Sequence, residues 1–589
     1  MRFAELVEVY ERLEATTKRL EMIDALRDLL GRVPPNVIRR LVYLTQGNLA
    51  PGFQAVKMGL AEKMVIRALA VATGLPRDDV ETRWKALGDM GTVAERAFEA
   101  KTQRKLTSEA LTVERVHGNL VGIAEAAGTG SQEEKIRLLA DLLNDATPVE
   151  ARYILRVVVG KMRLGVADMT LVEALAQAFA TKEDKPAVER AFNVSSDLGR
   201  VAEVLAESGL PGLKGIHLRV GVPVRSMLAE RLPSLEQVVE KLGRSALEFK
   251  YDGLRIQAHI DPEEVILYSR RFDILTPQFP DIVEGLRDAF QAQSAILDGE
   301  AVPIDLNTGA FLPFQEVAHR RRKYGIQEAL QRVPVALLAF DCLALDEEDF
   351  LERPYTDRRK ALGRALRETE RVRLSEQIVT DDPEEARRFF DKVIEQGGEG
   401  LIAKDLDSPY EAGSRGWQWI KYKRDYKAEL ADTVDLVIVG SFAGRGRRAG
   451  TYGALLMAAY DPEEDGFKTV CKLGSGFDDA TLVALPERFR NLRLDEKDPR
   501  VDSKLEADGW FEPAVVMEVL GAEITLSPMH TAGFGAIRPD AGLAIRFPRF
   551  TGRWRDDKGP REATSVAEIV SLYKNQLKQV ASPGGPAPE

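Results

Sequence analysis

The strongest constraint on the fold of this chain is a change of hydrophobic period near Gly221. Before it, apolar residues recur at helical spacing, for example over residues 134–143. After it, apolar and polar residues alternate with a period of two, and shorter helical stretches separate these segments up to about residue 425. The pattern predicts an all-α region over residues 1–215 and an α+β domain over residues 216–425.

A second change begins near residue 426, where short β signals alternate with glycine-rich turns. They occur at residues 433–440, 454–460, 468–472 and 515–519. Short strands with such turns indicate a small β-barrel over residues 426–580. Residues 581–589 are rich in proline and glycine and predict a flexible tail. Three domains suit a chain of 589 residues, which is too long for one hydrophobic core.

Composition excludes several classes of protein. No apolar run approaches the roughly 18 residues of a membrane span, and the N-terminus lacks the apolar core of a signal peptide. Two cysteines, Cys342 and Cys471, are too few for a disulfide scaffold or a cysteine zinc site. These features predict a cytoplasmic enzyme with no membrane partner. The net charge of −11 counts against a nucleic-acid partner, but a basic groove can lie on an acidic protein.

Residues 248–255, Glu-Phe-Lys-Tyr-Asp-Gly-Leu-Arg, place Lys250 in an apolar run between two predicted strands. An ordinary lysine has a pKa of about 10.4. Burial and nearby cations would lower that pKa, and a neutral lysine amine is a nucleophile. Two interpretations of this segment alone stay open: a nucleophilic lysine, or an amphipathic hairpin with a Tyr-Asp-Gly turn.

Three further segments carry candidate binding residues. Arg270 follows a predicted strand, and an arginine fork suits phosphate oxygens. Residues 296–300 place Glu300 after an apolar strand and a predicted tight turn. Phe340 lies on another apolar strand and could stack on a purine. The alternatives are a solvated strand end for the arginine and a core position for the phenylalanine.

A glycine-rich segment over residues 397–404 brings Glu399 to the start of a strand. The next strand alternates, so that Lys421 and Lys423 share one face. Two lysines on one buried face repel each other, and an anion such as a nucleotide phosphate would relieve the repulsion. A solvated edge strand with two surface lysines is the alternative.

In the helical region, the turn over residues 160–165 carries Lys161 and Arg163 between glycines. Such a turn can present backbone N–H groups and charge to a phosphate, although an ordinary helix cap with a solvated basic pair explains it equally simply. The basic segments at residues 319–323 and 444–448 are likewise either nucleic-acid contacts or solvated surface.

Taken together, the order of these segments resembles motifs I to V of ATP-dependent DNA ligases. The series K-Y-D-G-L-R, S-R-R, L-D-G-E, F-D, G-G-E-G-L-I-A-K and W-I-K-Y-K runs in one direction along the chain. Residues 542–550 and 553–558 resemble motif VI, and residues 161–166 resemble the K-x-R-L-G-x of the helical domain in this family. The whole chain is similar to the three-domain archaeal and eukaryotic replicative type. The resemblance implies a helical DNA-binding domain, a nucleotidyltransferase domain and an oligonucleotide-binding (OB) barrel.

The resemblance also implies a role for each candidate residue. Lys250 would be the adenylated nucleophile, and Glu300 and Glu399 would hold Mg²⁺ or Mn²⁺. Lys161 and Arg163 would contact DNA. The remaining residues and their implied contacts are Glu248 with the adenine amino group, Arg255 and Arg270 with ribose and phosphate, Glu300 with ribose, Phe340 with the adenine ring, Arg415, Lys421 and Lys423 with nucleotide phosphate, and Arg555 and Lys558 with pyrophosphate.

The implied reaction is ATP-dependent sealing of nicks in duplex DNA, in replication, repair and recombination. The implied protein is a cytoplasmic or nucleoid-associated monomer with a possible sliding-clamp partner.

Three rival functions remain at this point. They are an RNA ligase, a GTP-using capping enzyme and a non-catalytic nucleic-acid scaffold. The long helical region argues against the first two, and the set Lys250, Glu300, Glu399 and Lys421 argues against the third. An NAD-dependent ligase is disfavoured because no four-cysteine zinc module is present.

Overall fold

The structure is a computed structural model of the chain. It describes residues 1–101, 109–304, 311, 320, 330, 334–346, 348–395, 398–423, 433–444, 451–521, 523–527, 529–539, 541–546 and 548–581. The predicted tail after residue 581 lies outside the described residues, as do residues 445–448 and, apart from Arg320, the basic segment at residues 319–323. The chain divides into two compact units, residues 1–83 with 90–424 and residues 84–89 with 425–589.

The region up to residue 215 is helical, as predicted. Its α-helices span Phe3–Glu14, Arg19–Leu30, Pro35–Thr45, Glu62–Thr73, Arg77–Leu87, Met90–Glu99, Val113–Glu125, Ser131–Asn144, Pro148–Val158, Asp168–Phe179, Lys185–Ser195 and Leu198–Gly212. Local signals place the helix starts. Thr147 accepts from the Glu150 backbone N–H, the Glu150 carboxylate accepts from the Thr147 backbone N–H, and proline occupies the first helical position. Asp197 caps the last of these helices with its side chain, which accepts a hydrogen bond from the Arg200 backbone N–H.

The α+β part of the first unit contains eleven described strands and four described α-helices. The strands are β1 Leu228–Arg231, β2 Ser245–Lys250, β3 Leu254–Ile260, β4 Val265–Ser269, β5 Ala295–Pro303, β6 Val335–Leu345, β7 Glu348–Asp349, β8 Val372–Leu374, β9 Gln377–Thr380, β10 Gly400–Asp405 and β11 Arg415–Lys423. The helices are Leu235–Leu242, Pro280–Ala289, Tyr355–Ala365 and Pro383–Glu395.

These strands form two sheets. One has the order β1-β11-β10-β2-β9, and the other has the order β4-β3-β5-β6-β7 with β8 beside β6. In the first sheet, Gly400 lies opposite Lys250 on one side and Lys423 on the other. Ile402 lies between Glu248 and Lys421 in the same way. The register therefore puts residues far apart in sequence side by side on one sheet face.

The predicted tight turn before Glu300 is wrong. Strand β5 runs without interruption from Ala295 to Pro303, and its pairing with β6 shifts register between Asp298 and Gly299. A β-carbon at Gly299 would lie 3.0 Å from the Leu338 carbonyl oxygen. The glycine therefore permits close approach of two strands at a bulge, where the sequence had suggested a turn.

The helical region and the α+β part share a hydrophobic cluster. Val194 of the helix Lys185–Ser195 is buried together with Met227, Ile296 and Trp419. Backbone hydrogen bonds reinforce the contact, since Arg225 donates to the Asn193 carbonyl and accepts from the Gly413 N–H. The Arg225 guanidinium also lies 4.0 Å from the centre of the Phe192 ring.

The second unit contains ten described strands and two described α-helices. The strands are β12 Val434–Ala443, β13 Tyr452–Asp461, β14 Gly466–Leu473, β15 Arg493–Leu494, β16 Val501–Asp502, β17 Gly509–Phe511, β18 Val516–Leu520, β19 Glu523–Ser527, β20 Gly542–Arg546 and β21 Arg549–Trp554. The helices are Asp479–Arg488 and Val566–Ala581.

The main sheet of the second unit is curled. Strand β12 pairs with β13 along one edge, whereas its other edge pairs with β18 at the N-terminal end and with β17 further along. β18 then pairs with β21, and β19 pairs separately with β20. The predicted β-rich architecture is confirmed, and closure into an OB barrel stays a prediction, as do the domain boundaries near residues 215 and 425.

We expect Gly413→Ala to destabilise the first unit. Gly413 has φ +71°, and an added β-carbon would lie 2.5 Å from Asn193 Oδ1, so alanine meets both backbone strain and a clash. Strain of this kind costs about 1–3 kcal/mol. Differential scanning calorimetry should show a lower thermal midpoint. Gly363→Ala is the matched control, because Gly363 lies inside a helix with nothing within 4 Å of the added carbon. It should leave the midpoint unchanged or raise it. A Gly413→Ala midpoint at or above wild type would contradict the packing described here.

Candidate active site

A cavity of about 330 Å³ lies in the α+β part of the first unit. The structure brings nine of the predicted residues to this one cavity: Glu248, Lys250, Arg255, Arg270, Glu300, Phe340, Arg415, Lys421 and Lys423. Residues that sequence reasoning had not assigned complete the lining: Leu228, Ala229, Phe249, Tyr251, Ile402, Lys404 and Trp419. Seven of the lining side chains are basic and two are acidic, so the cavity is suited to an anion.

Lys250 ends strand β2 with its side chain 20% exposed. Burial and the neighbouring Lys423 lower the pKa of Lys250 to about 8, with Glu300 and Asp252 opposing the shift. A lysine with this pKa is partly neutral near physiological pH, which makes its amine available as a nucleophile.

Glu399 contacts both Lys250 and Lys423 through its two carboxylate oxygens. Its backbone N–H also donates to the Lys250 carbonyl at 2.8 Å. The next residue, Gly400, has φ +152°, and a β-carbon there would lie 2.2 Å from the Tyr422 carbonyl oxygen. Glycine is thus required for the close pairing of β10 with β11 that holds Glu399 between the two lysines.

Lys421 and Lys423 lie on one strand face, as predicted, and both line the cavity. Burial, with Arg415 and Lys423 nearby, lowers the pKa of Lys421. Burial and Arg231 lower the pKa of Lys423, although Asp252 opposes the shift. Lys421 donates to the Ala229 carbonyl at 3.3 Å. Burial and the neighbouring cations together depress these pKa values, and a bound anion would offset the repulsion between the cations.

Glu300 lies on β5 opposite Arg255 of β3. Burial raises the pKa of Glu300, and Lys250 and Arg255 oppose the rise. Among the described residues, no group of three or more His, Cys, Asp or Glu side chains is arranged to hold a metal ion. Glu300 and Glu399 carry hard oxygen ligands, and Mg²⁺ commonly binds one or two carboxylates together with substrate phosphates.

Arg255 is anchored by its two terminal nitrogens. Nη1 donates to the Met227 carbonyl at 2.8 Å, and Nη2 donates to Asp298 at 2.7 Å. Burial opposes ionisation, but Asp298 and Tyr410 raise the pKa of Arg255, so it stays cationic. The guanidinium lies 5.3 Å from the centre of the Phe340 ring, which itself packs edge-on against Trp419. Phe340 and Trp419 give the cavity an aromatic wall.

Glu248 lines the cavity and is only 2% exposed. It pairs with Lys404 at 2.9 Å and accepts a hydrogen bond from the Tyr355 hydroxyl. Burial lowers the pKa of Lys404, and Glu248 and Asp341 counter this. Lys404 also donates to the Phe340 carbonyl at 3.0 Å. The sequence alone assigns no role to Lys404. The signal that could have indicated one is the alternation of Gly400, Ile402 and Lys404, which puts the three residues on one face of β10.

The remaining candidates lie elsewhere. Arg163 has φ +59° and lines a different cavity, of about 390 Å³, together with Tyr43, Arg225 and Phe272. Lys161 is an exposed residue of the same turn and does not line that cavity. In the second unit, Arg555 and Lys558 both donate to one oxygen of Asp435, each at 2.6 Å. Arg555 also forms a bidentate pair with Asp557. Within the first unit, neither Lys161 nor Arg163 lines the cavity around Lys250.

Three family models match the chain. They are "DNA ligase N terminus" over residues 2–176, "ATP dependent DNA ligase domain" over residues 226–423, and "ATP dependent DNA ligase C terminal region" over residues 448–558. The second of these spans the whole Lys250 cavity.

Similar full-length proteins were also found. The chain is 49% identical over 584 residues to DNA ligase 2 of Korarchaeum cryptofilum, with 98% of both chains covered. It is 49% identical over 588 residues to DNA ligase of Pyrobaculum neutrophilum, covering 99% of this chain and 100% of that one. The solved structure of Pmar-Lig_Pre shares the fold, with a TM-score of 0.54, 17% identity, and 94% of this chain and 99% of that chain covered. The chain therefore belongs to the family of ATP-dependent DNA ligases.

The described residues contain no helix of sufficient length and apolarity to span a lipid bilayer.

The pKa of Lys250 leads to a test that does not require nucleotide. The reaction of Lys250 with the neutral reagent fluorodinitrobenzene, followed by peptide mass spectrometry, should rise with pH around a midpoint near 8. Lys423→Met removes a cation that destabilises the Lys250 ammonium, so the midpoint should move up. Glu399→Gln removes a carboxylate that stabilises the same ammonium, so the midpoint should move down. A wild-type midpoint near 10, or shifts of the same sign in both variants, would refute the electrostatic assignment.

Proposed function

We propose that this ligase seals nicks in duplex DNA through a covalent Lys250–AMP intermediate. One observation carries the proposal: a lysine with a depressed pKa lies at a cavity that is also lined by several other cations and by an aromatic wall. A nucleotide supplies both the anion and the flat ring that such a cavity accommodates. ATP-dependent DNA ligation follows from family membership, and the assignment of steps and residues below is our proposal.

In the first step, the neutral amine of Lys250 attacks the α-phosphorus of ATP. A nitrogen–phosphorus bond forms, the bond from that phosphorus to the α,β-bridging oxygen breaks, and pyrophosphate leaves with the electron pair. The proton released by the amine passes to solvent. Lys421, Lys423, Arg415 and Arg270 offset the charge on the phosphoryl oxygens. Glu300 and Arg255 orient the ribose, Phe340 stacks on adenine, and Glu248 accepts from the adenine amino group.

In the second step, an oxygen of the 5′-phosphate at the nick attacks the α-phosphorus, and the bond to Lys250 breaks. In the third step, the 3′-hydroxyl attacks the activated 5′-phosphate, and AMP leaves. Glu300 and Glu399 would hold Mg²⁺ or Mn²⁺, which supplies positive charge to the phosphoryl oxygens when bound. Both carboxylates fit this role, because both supply oxygen ligands close to the Lys250 amine. Glu399 contacts the amine directly, and Glu300 raises the pKa of Lys250 electrostatically.

The other parts of the chain have proposed roles in DNA handling. We assign residues 1–215 to DNA binding, with Lys161 and Arg163 contacting phosphates, and residues 216–425 to nucleotidyl transfer. We assign residues 426–580 to an OB barrel whose Arg555 and Lys558 orient the pyrophosphate. The protein would act as a cytoplasmic or nucleoid-associated monomer in replication, repair and recombination, with a sliding clamp as a possible partner.

Changing Lys250 tests the covalent step. Lys250→Ala should abolish labelling by α-³²P-ATP on a denaturing gel, since it removes the amine that is proposed to carry the AMP. Lys250→Arg should fail equally, because a guanidinium stays protonated. Both variants should still seal a pre-adenylated nick in part. Lys360→Ala, at a lysine 77% exposed on a helix surface, is the matched control and should label normally. ATP-dependent ligation by Lys250→Ala would disprove the assignment. Labelling of wild type by GTP or NAD in preference to ATP would favour a rival nucleotidyltransferase.

The basic pair of the second unit should matter in one step only. Arg555→Ala should slow formation of the Lys250–AMP adduct by about 30- to 1000-fold, since lost transition-state contacts to phosphoryl groups cost about 2–4 kcal/mol. Sealing of a pre-adenylated nick should be nearly unchanged, because pyrophosphate exists only in the first step. Arg500→Ala is a matched control, because Arg500 also forms a bidentate pair with a carboxylate of the same unit, that of Asp498. Single-turnover rates that fall equally in all steps for Arg555→Ala would argue against a pyrophosphate contact.

A further inference from the structure

A tyrosine outside the nucleotide cavity forms hydrogen bonds with three residues, one of which, Arg255, lines the cavity. Tyr410 lies between β10 and β11, is 3% exposed, and does not line the cavity. Its hydroxyl donates to Asp298 Oδ2 at 2.6 Å. The Tyr410 hydroxyl oxygen also accepts from the Met227 backbone N–H at 3.0 Å and from Arg255 Nη2 at 3.2 Å. A phenolic hydroxyl has one donor and two lone pairs, so these three bonds use its full capacity.

The position of this hydroxyl is set independently of those three bonds. The Tyr410 backbone N–H donates to the Leu351 carbonyl at 2.7 Å. The Tyr410 ring meets the Trp419 ring edge-on, with centres 5.7 Å apart and an interplanar angle of 87°. Backbone and ring would therefore stay in place if the hydroxyl alone were removed.

Arg255 is the cavity residue that depends on this arrangement. Both of its terminal nitrogens are occupied by Met227, Asp298 and Tyr410. Its Nε, which is buried, has no hydrogen-bond partner among the described residues. A bidentate grip on phosphate is thus unavailable without breaking the anchor, whereas Nε remains free to donate to a neutral hydroxyl of a bound nucleotide.

We infer that Tyr410 is a positioning residue that aims the Arg255 Nε–H at the ribose of the bound nucleotide, acting through Asp298 and the Met227 backbone. This inference rests on the proposed function, because it assumes that the cavity binds ATP. Asp298 contributes to the same anchor: it is fully buried, and it also accepts from Gln257 at 3.3 Å. The carboxylate thus fixes Arg255 from one side and the tyrosine hydroxyl fixes the carboxylate from the other.

Tyr410→Phe removes the hydroxyl and keeps the ring. In assays of Lys250–AMP formation, we expect the KM for ATP to rise about tenfold and kcat to stay within about threefold, because the lost contact is made in ground state and transition state alike. With 2′,3′-dideoxy-ATP, which lacks both ribose hydroxyls, the effect of the substitution should shrink to below about twofold, as in a double-mutant cycle.

Two controls separate positioning from general loss of structure. Tyr10→Phe also removes a buried tyrosine hydroxyl, one that meets Thr45 at 3.1 Å in the helical region, and it should leave the KM for both nucleotides unchanged. The ratio of kcat/KM between ATP and dideoxy-ATP does not depend on the fraction of folded enzyme, so partial unfolding of Tyr410→Phe cannot mimic the expected result. Asp298→Asn should lower the same ratio.

Two outcomes would overturn the inference: an unchanged KM for ATP in Tyr410→Phe, or an equal rise for ATP and dideoxy-ATP. Failure of the proposed function would look different, since wild type itself would then form no adduct with ATP. A wild-type enzyme that forms the adduct, combined with an unaltered nucleotide ratio in both Tyr410→Phe and Asp298→Asn, would refute the positioning role alone.

Discussion

Repulsion among basic side chains gathered at one cavity is the constraint on which the rest of this site depends. The chain carries a net charge of −11, yet seven basic and two acidic side chains line the cavity. Such a cluster is stable only if rigid elements hold it and if counter-charges are placed beside it. Strand β10, which pairs with β2 on one side and with β11 on the other, supplies the rigid element. Glu399, between Lys250 and Lys423, supplies a counter-charge. Burial depresses the pKa of Lys250, and the neighbouring cation Lys423 depresses it further.

Much of the fold and of the site could be predicted because their signals are local. Alternation alone placed Lys421 and Lys423 on one face, and helical spacing predicted the N-terminal helices. The prediction of a tight turn before Glu300 was wrong, because a glycine that permits close contact between strands cannot be distinguished in sequence from a glycine that permits a turn. Tyr410 was missed for another reason: its hydroxyl meets partners 112 and 155 residues away, and a single loop tyrosine carries no periodic signal.

The net charge of the whole chain is a poor guide to the charge of the ligand that this cavity suits. The acidic total counts against a nucleic-acid partner, but electrostatic attraction acts over a Debye length of about 10 Å at moderate salt, so a local basic groove decides the matter. Among the side chains that line the Lys250 cavity, basic residues outnumber acidic ones. The acidic residues that dominate the total include many paired on the surface, such as Glu21 with Lys18 and Asp24 with Arg27. Local fields in this protein therefore follow from strand register more than from composition.

The charged residues of the cavity are neutralised in two different ways. Around Lys250, the cations have depressed pKa values and one shared counter-ion, so the arrangement is poised to accept an anion and to lose a proton. Around Arg255 and Glu248, each charge is matched by a buried partner, Asp298 in one case and Lys404 in the other. Matched buried pairs fix geometry, since separating them leaves an uncompensated charge. The site thus combines two environments. Around Lys250 the cations are only partly neutralised, which suits reaction with an anion. Around Arg255 and Glu248 each charge already has a buried partner, so these residues contribute to ligand recognition through their fixed positions.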